Sequence, residues 1–284
     1  MRITLALACA VFCLVFFTPA VAGQERADFR ALDREPPRSG APDPALKAQP
    51  RGALLPTAGG VLAHVAAGGP WRTRIVLFNS DPDVTAEGTL TFYRSTGETL
   101  RLTLTNGRKT VNASSFSISL PPRNTMFLET VDQTAATEVG YADLKSEAGK
   151  LTGYGIFRAV VPGAPNLEAV VPLEWGVSDE VLLAYDNTGG FVTSVAVANR
   201  WLLLPFDLRA EVYTEDGAFL ASYHRPLAGG THTAFETPRE WPATAGRRGM
   251  VRLSRIGSIG GFAALALLFN PTGSVTTAPV IDLP

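Results

Sequence analysis

The stretch that decides the fold is residues 71–79, WRTRIVLFN, because it returns 120 residues later as residues 191–199, FVTSVAVAN. Each copy is an apolar run that follows a Gly-rich turn and closes on an asparagine. Tyr93 and Tyr213 share the same offset further along. A fixed offset with similar residues between predicts an internal repeat. The chain is therefore expected to contain two copies of one unit.

The first copy is longer than the second. The match resumes as GYADL at Gly140 and GMVRL at Gly249, an offset of 109, so the first copy carries 11 extra residues. They fall within residues 100–122, where Asn106-Gly107 is the strongest hairpin signal of the chain, because both residue types tolerate the positive φ of a type I′ turn. We predict a longer hairpin at this position.

Both copies have the pattern of β-strands. Apolar and polar residues alternate in TLTFY (89–93) and SFSISL (115–120), which indicates half-buried strands, whereas VAVA (195–198) and FAALALLF (262–269) are apolar on both faces, as in strands at the middle of a sandwich. Turn signals recur about every 10 residues, the spacing of β-sandwiches. The 27 glycines and 21 prolines agree with many turns. We predict an all-β fold of two tandem Ig-like β-sandwiches.

The N-terminal residues predict export. Arg2, an apolar run and the small residues Ala20-Val21-Ala22 have the pattern of a signal peptide, residues 1–22, cleaved after Ala22. Its apolar run is shorter than the roughly 20 residues that span a bilayer, so the mature chain is predicted to have no transmembrane span. Residues 23–56 are rich in proline and charge, and we interpret them as a flexible leader. The sandwiches are then residues 57–175 and 180–284, joined by GVSDE (176–180), and each is expected to fold alone.

The repeat resembles the tandem β-sandwich modules of bacterial secreted proteins. The resemblance rests on GGPW and TGGF before an apolar stretch in which a threonine lies six positions ahead of an asparagine (Thr73 and Asn79, Thr193 and Asn199), and on the STGE and EDGA turns, and it covers most of residues 61–284. It implies a structural framework and no particular biochemical activity.

Composition and motifs exclude several classes of function. The net charge of -1, from 25 Lys+Arg and 26 Asp+Glu, gives no basic field for nucleic acid. Both cysteines lie in the predicted signal peptide, so the mature chain should have no thiol. No nucleophile elbow occurs, and His64, His224 and His232 show no metal-ligand spacing. His224 and His232 could meet across a hairpin, but we interpret these two as solvated strand residues. No catalytic residue, metal ligand or cofactor is predicted.

Two recurring polar features have structural interpretations. Asp81, Asp83 and Glu87 lack the spacing of an EF-hand loop and are expected to form a polar turn around a proline. Asn79 and Asn199 each follow an apolar strand and precede a turn, where an asparagine side chain can bond the turn backbone.

One segment breaks the repeat. The polar residues 80–86, SDPDVTA, align with residues 200–206, RWLLLPF, at the end of the second sandwich, where loops project and binding sites are often built. Exposed apolar side chains need a cover. The cover could be the first sandwich or the linker, a protein partner or second copy of the chain, or a glycan or lipid surface. The candidate interaction surface comprises Trp201, Leu202, Leu203, Leu204 and Phe206.

The sequence thus favours a secreted, non-enzymatic structural or binding module with an unknown protein or surface partner. The alternative is a hydrolase acting on an extracellular polymer, or a carbohydrate-binding module, with its site between the domains.

Overall fold

The computed structural model describes residues 26–30, 59–131, 134–160, 166–174, 178–257 and 260–283. Strands dominate these ranges, with one short helix, α1 (Thr237–Glu240), and one 3-10 turn (Pro242–Thr244). The prediction of an all-β fold is confirmed. No helix among the described residues is long and apolar enough to cross a membrane. The predicted signal peptide, most of the predicted leader, and Trp175 with the first two linker residues lie outside the described ranges.

The first half of the chain, residues 59–174, is called unit 1. Its strands are β2 (Gly59–Ala67), β3 (Trp71–Asn79), β4 (Ala86–Arg94), β5 (Leu102–Thr105), β6 (Thr110–Ala113), β7 (Ser115–Leu120), β8 (Thr125–Thr130), β9 (Glu138–Ala148), β10 (Leu151–Ala159) and β11 (Leu167–Glu174). Two sheets enclose the core: sheet I has the order β7-β4-β9-β2, and sheet II has the order β11-β10-β3-β8-β5-β6. Strand β11 pairs with β10 and then, at its end, with β2, so the two sheets are continuous.

The second half, residues 178–283, is called unit 2. Its strands are β12 (Glu180–Asp186), β13 (Val192–Ala198), β14 (Phe206–Thr214), β15 (Phe219–Leu227), β16 (His232–Glu236), β17 (Arg248–Ile256), β18 (Ala263–Phe269), β19 (Val275–Ala278) and β20 (Val280–Asp282). Sheet III has the order β15-β14-β17-β12-β20, and sheet IV has the order β16-β13-β18-β19. Alternation along the strands builds the core, as in β14, where Phe206, Leu208 and Ala210 point inward.

The two units have the same strand order where the sequence repeats. The order β7-β4-β9-β2 in sheet I corresponds to β15-β14-β17-β12 in sheet III, and β10-β3-β8 corresponds to β18-β13-β16. The strands β3 and β13, which contain the repeated stretch, hold the same central place in sheets II and IV. The repeat seen in the sequence is therefore a repeat of structure.

The predicted extra hairpin is present in unit 1 as β5 and β6. Its loop has four residues, because Thr105 pairs with Thr110, and is not the two-residue type I′ turn that Asn106-Gly107 predicted. The Asn106 side chain accepts the backbone N–H groups of Arg108 and Lys109 at 3.0 and 2.8 Å, which stabilises the longer loop. Strand β5 pairs with β8, so the insertion widens sheet II.

Sheet IV is apolar on both faces because it is covered twice. Val195, Val197 and Ala264 pack into the core of unit 2, whereas Leu265 and Phe269 belong to the apolar cluster that continues into unit 1. Strands β13 and β18 contact β2, all nine residues of which are buried. Sheet IV is therefore covered by sheet III on one side and by unit 1 on the other, which explains why its strands are apolar on both faces.

Five residues of the predicted flexible leader form a strand, β1 (Arg26–Arg30). It pairs in parallel with β7, from Arg26 opposite Ser115 to Arg30 opposite Ser119. The edge of sheet I has unpaired backbone groups with which an extended segment can form hydrogen bonds. The composition of the leader does not reveal this edge, so it could not predict the strand.

Candidate interaction surface

Two asparagines give the loops that follow β3 and β13 the same backbone frame. The Asn79 side chain donates to the Val84 carbonyl at 2.8 Å and accepts the Asp81 N–H at 2.9 Å. Asn199 donates to the Leu204 carbonyl at 2.8 Å and accepts the Trp201 N–H at 3.0 Å. The predicted structural role of both residues is confirmed. Because the frame is fixed by asparagine and backbone, it does not require apolar side chains in the loop.

In the loop of unit 1, the Asp81 side chain stabilises the turn. Asp81 Oδ1 accepts the N–H groups of Asp83 and Val84, each at 3.0 Å, and these bonds lower the pKa of Asp81. The carboxylate is thus used by its own loop, as the polar-turn interpretation predicted. Among the described residues, no group of three His, Cys, Asp or Glu side chains is arranged to hold a metal ion.

Phe206 does not belong to the candidate surface. It is 6% exposed in the core of unit 2, with its ring centroid 6.1 Å from that of Phe262. Its counterpart in the repeat, Ala86, is fully buried in unit 1. The alignment of the two copies already indicated that Phe206 is buried. Phe206 aligns with Ala86, and Ala86 and Val84 are the two apolar residues of SDPDVTA apart from its proline.

The other candidate residues divide into a base and a tip. Trp201 and Leu204 are half-buried, and the Trp201 indole lies against Gly260. Leu202 and Leu203 form the turn itself and are 54% and 73% exposed. These two residues are called the leucine tip.

An ion pair anchors the base of the loop to unit 1. Arg200 Nη2 lies 2.6 Å from Asp143 Oδ1 on β9, and the Arg200 side chain is only 5% exposed. Burial raises the pKa of Asp143, while the Arg200 guanidinium opposes that rise. Beside the pair, Tyr93 and Tyr141 stack with ring centroids 5.0 Å apart, and burial raises the pKa of both phenols. The loop is therefore held against sheet I by a residue next to the tip.

Glycines allow the turns of the two units to touch beside this anchor. Gly97 has a φ of +90°, and a Cβ there would lie 3.2 Å from the carbonyl oxygen of Gly230. The His232 N–H donates to the Ser95 carbonyl at 3.2 Å. A side chain at residue 97 would push the turns apart.

Two histidines meet at the same junction. His64 Nδ1 and His232 Nε2 are 3.2 Å apart, and His232 Nδ1 is 3.0 Å from Ser95 Oγ. His64 and His232 are 2% and 4% exposed, so the interpretation of His232 as a solvated strand residue is wrong. His224 is exposed, as predicted. No sequence pattern indicates this pair, because its members are 168 residues apart and lie in different units.

A half-buried carboxyl lies at another point of the junction. Glu174 Oε2 accepts the N–H of Ala264 at 3.2 Å. Burial raises the pKa of Glu174 to about 8, and the charge of Asp282 adds to the rise. Among the described residues, no basic side chain contributes to the shift in the pKa of Glu174.

A small cavity in unit 2 lies away from the leucine tip. Arg225 spans it, with its guanidinium 2.7 Å from Glu240 and 5.3 Å from the centre of the Phe235 ring. Its lining is Leu208, Ala210, Tyr223, His224, Arg225, Phe235, Glu240 and Trp241. Because Arg225 is already paired, the cavity offers no free charge to a ligand.

No protein-family model matches this chain, and no curated protein sequence matches it. The resemblance to secreted bacterial modules stays a prediction.

Proposed function

We propose that this chain is a secreted, non-enzymatic binding module in which two Ig-like β-sandwich domains present the leucine tip to a protein or surface partner. Its destination would be the periplasm or the outside of a bacterial cell, after removal of a signal peptide at Ala22. The exposure of Leu203, at 73%, is the observation that carries the proposal.

The leucine tip is apolar where the loop frame does not require apolar side chains, and of its two side chains Leu202 lies against Gly230 of the neighbouring turn. The corresponding residues of unit 1 are Pro82 and Asp83, on a loop held by the same asparagine frame. The Arg200 side chain is buried against unit 1, whereas the Leu203 side chain remains exposed to solvent. Adjacent exposed leucines are costly in water unless a partner covers them.

The anchored base favours binding over simple exposure. The Arg200 to Asp143 ion pair and the Asn199 hydrogen bonds fix the backbone on both sides of the turn. A turn that is already ordered loses little conformational entropy on association, which improves affinity. The loop therefore has the character of a preorganised contact.

A double variant, Leu202→Ser with Leu203→Ser, tests the proposal. We expect its binding to the envelope fraction of the native host to fall at least tenfold, a loss of about 1.4 kcal/mol. Phe127→Ser is the matched control, because Phe127 is 56% exposed on unit 1, and it should bind as the wild type does. Equal binding by all three proteins would reject the leucine tip as the contact.

A hydrolase with its site between the domains is the second candidate. The hydrogen-bonded order Ser95, His232, His64 is that of nucleophile, base and orienting group. Burial lowers the pKa of His232 well below its ordinary value, which makes the imidazole a weak base, so the binding function is preferred. A fluorophosphonate probe that labels the wild type but not Ser95→Ala would favour the hydrolase.

A further inference from the structure

The two units differ at the outer edges of sheets I and III. In unit 1 the edge strand is β7, and β1 adds to it in parallel. In unit 2 the corresponding edge strand is β15, and no further strand among the described residues pairs with it. The repeated fold therefore does not itself require an added strand at this position.

The residues of the two edge strands account for this difference. Natural edge strands often carry charged residues or proline, which oppose the addition of another strand. The sequence of β15, FLASYHRPL, contains Arg225 and Pro226. The sequence of β7, SFSISL, contains neither a charged residue nor a proline. The edge at β7 is therefore suited to accept an extended segment, whereas the edge at β15 is protected.

The backbone of β7 presents hydrogen-bonding groups on the side away from β4. The Phe92 N–H of β4 donates to the Ser114 carbonyl at 2.9 Å, just before β7 begins. Hydrogen-bonded pairs alternate along an antiparallel ladder, so the backbone groups of Phe116 and Ile118 face β4. Those of the serines between and beside them, such as Ser117, face outward. An added strand can bond these outward groups.

The register also matches charges across the sheet. Arg30 lies opposite Ser119, whose hydroxyl donates to the Glu87 carboxylate at 2.8 Å. Asp28 lies in a row that continues through β7 and β4 to Lys145 of β9. An acidic residue of sheet I thus shares the row of Arg30, and a basic residue shares the row of Asp28. Opposite charges placed in one row stabilise the pairing of strands.

The positions between these charges are apolar. Ala27 lies opposite Phe116, and Phe29 lies opposite Ile118. Phe116 and Ile118 are both buried in the core of unit 1. The edge at β7 is therefore matched to a segment in which charged and apolar residues alternate.

The position of β1 in the chain permits its replacement. If the signal peptide ends at Ala22, Arg26 is the fourth residue of the exported chain, so β1 lies beside a free end. The 28 residues 31–58 join β1 to β2 and can span at most about 90 Å when extended. Departure of β1 therefore requires neither movement of β2 nor passage of the chain through a loop.

We propose that the edge of sheet I at β7 is a docking site for an extended segment of a partner protein, and that β1 is a resident strand which this segment replaces. The partner's segment adds in parallel, with charged and apolar residues that alternate as in residues 26–30. In this mode of recognition, backbone hydrogen bonds supply the affinity and alternate side chains supply the selectivity. The docking site is separate from the leucine tip, so it does not depend on the binding function proposed for that loop.

Hydrogen exchange tests whether β1 covers the edge. Ala27→Pro with Asp28→Pro in the full exported chain, called the proline variant, removes two adjacent N–H groups, of which one faces β7. We expect the Ser117 amide to exchange about tenfold faster in this variant than in the wild type. Ala45→Pro with Leu46→Pro, between β1 and β2, is the matched control and should leave the exchange unchanged. Equal protection of Ser117 in both variants would overturn the proposal.

Peptide binding tests the docking site itself. A fluorescent peptide with the sequence of residues 23–30, GQERADFR, represents the partner's segment. We expect this peptide to bind the proline variant about tenfold more tightly than the wild type, because covalent attachment favours β1 over a free peptide. A peptide with the same residues in scrambled order should not bind. Equal binding of GQERADFR to both proteins, or no binding to the proline variant, would overturn the docking site.

Two lysine substitutions in the proline variant locate the bound peptide. Ser119→Lys places a positive charge opposite the position of Arg30 and should weaken binding about threefold. Ser222→Lys, at an exposed serine of β15, should have no effect. The reverse result would place the peptide on unit 2 and contradict the proposal. Dimerisation of the wild type that the proline variant lacks would identify a second copy of the chain as the occupant, and would overturn the assignment to a separate partner.

Discussion

Arg200 of unit 2 crosses the junction to Asp143 of unit 1, and the two side chains lie 2.6 Å apart. Arg200 immediately precedes Trp201 and lies two residues before the leucine tip. The position of the tip therefore depends on how the two units pack against each other. Tyr93 and Tyr141 border the pair and help to exclude water from it. The placement of the loop is therefore a property of both halves of the chain.

Breaking this ion pair should destabilise the whole protein. Arg200→Met leaves the Asp143 carboxylate buried without a partner, which we expect to cost about 3 kcal/mol in the free energy of unfolding. Adding Asp143→Leu removes the unpaired charge and should recover most of the loss. Urea denaturation of the wild type, both single variants and the double variant measures the coupling, and additive losses would show that the pair does not interact.

Phe206 and Leu203 should behave oppositely, although only two residues lie between them in the sequence. Phe206→Ala removes a buried ring and should cost about 3 to 5 kcal/mol of stability. Leu203→Ser changes an exposed side chain and should alter stability by no more than about 0.5 kcal/mol. Chemical denaturation of the two variants decides the point, and a large loss for Leu203→Ser would show that the tip supports the fold.

The sequence predicts local features of this protein better than the contacts between its halves. Asn79 and Asn199 were interpretable because each bonds a loop within five residues of itself. His64 and His232 were not, because a β-bulge and the docking of the units bring them together. The all-apolar pattern of β18 predicted a doubly covered strand, but periodicity does not say that unit 1 is the second cover.

Glu174 should make the protein less stable in mild alkali. Its pKa is raised from 4.5 to about 8 in the folded chain, so the folded state retains a proton that the unfolded state loses. The stabilising contribution is complete below about pH 4.5 and is lost as the pH rises to about 8. Glu174→Gln should flatten the fall in melting temperature between pH 5 and pH 8. Glu168→Gln, at an exposed residue on the same strand, is the control and should keep the wild-type slope.

The exported protein should begin at Gly23 and contain no thiol. Cleavage after Ala22 removes Cys9 and Cys13, the two cysteines of the sequence. Intact-mass measurement of the exported form, with and without a thiol-alkylating reagent, should give one unmodified mass. A mass that retains Cys9 with added lipid would contradict this assignment of the cleavage site.

The two halves should depend on each other, in contrast to the independent folding that the repeat suggested. The apolar cluster of unit 1 contains Leu62 of β2 and extends into Leu265 and Phe269 of sheet IV, so residues 57–175 alone expose surface that unit 2 covers. Exposed apolar area of this kind promotes association and binds hydrophobic dyes. We expect the separate fragments 57–175 and 180–284 to bind such a dye and to self-associate. An equimolar mixture should lose the dye signal and regain a dispersed amide spectrum, because the junction re-forms. If fragment 57–175 is instead monomeric, free of dye and well dispersed, the units are autonomous and the junction contributes little to stability.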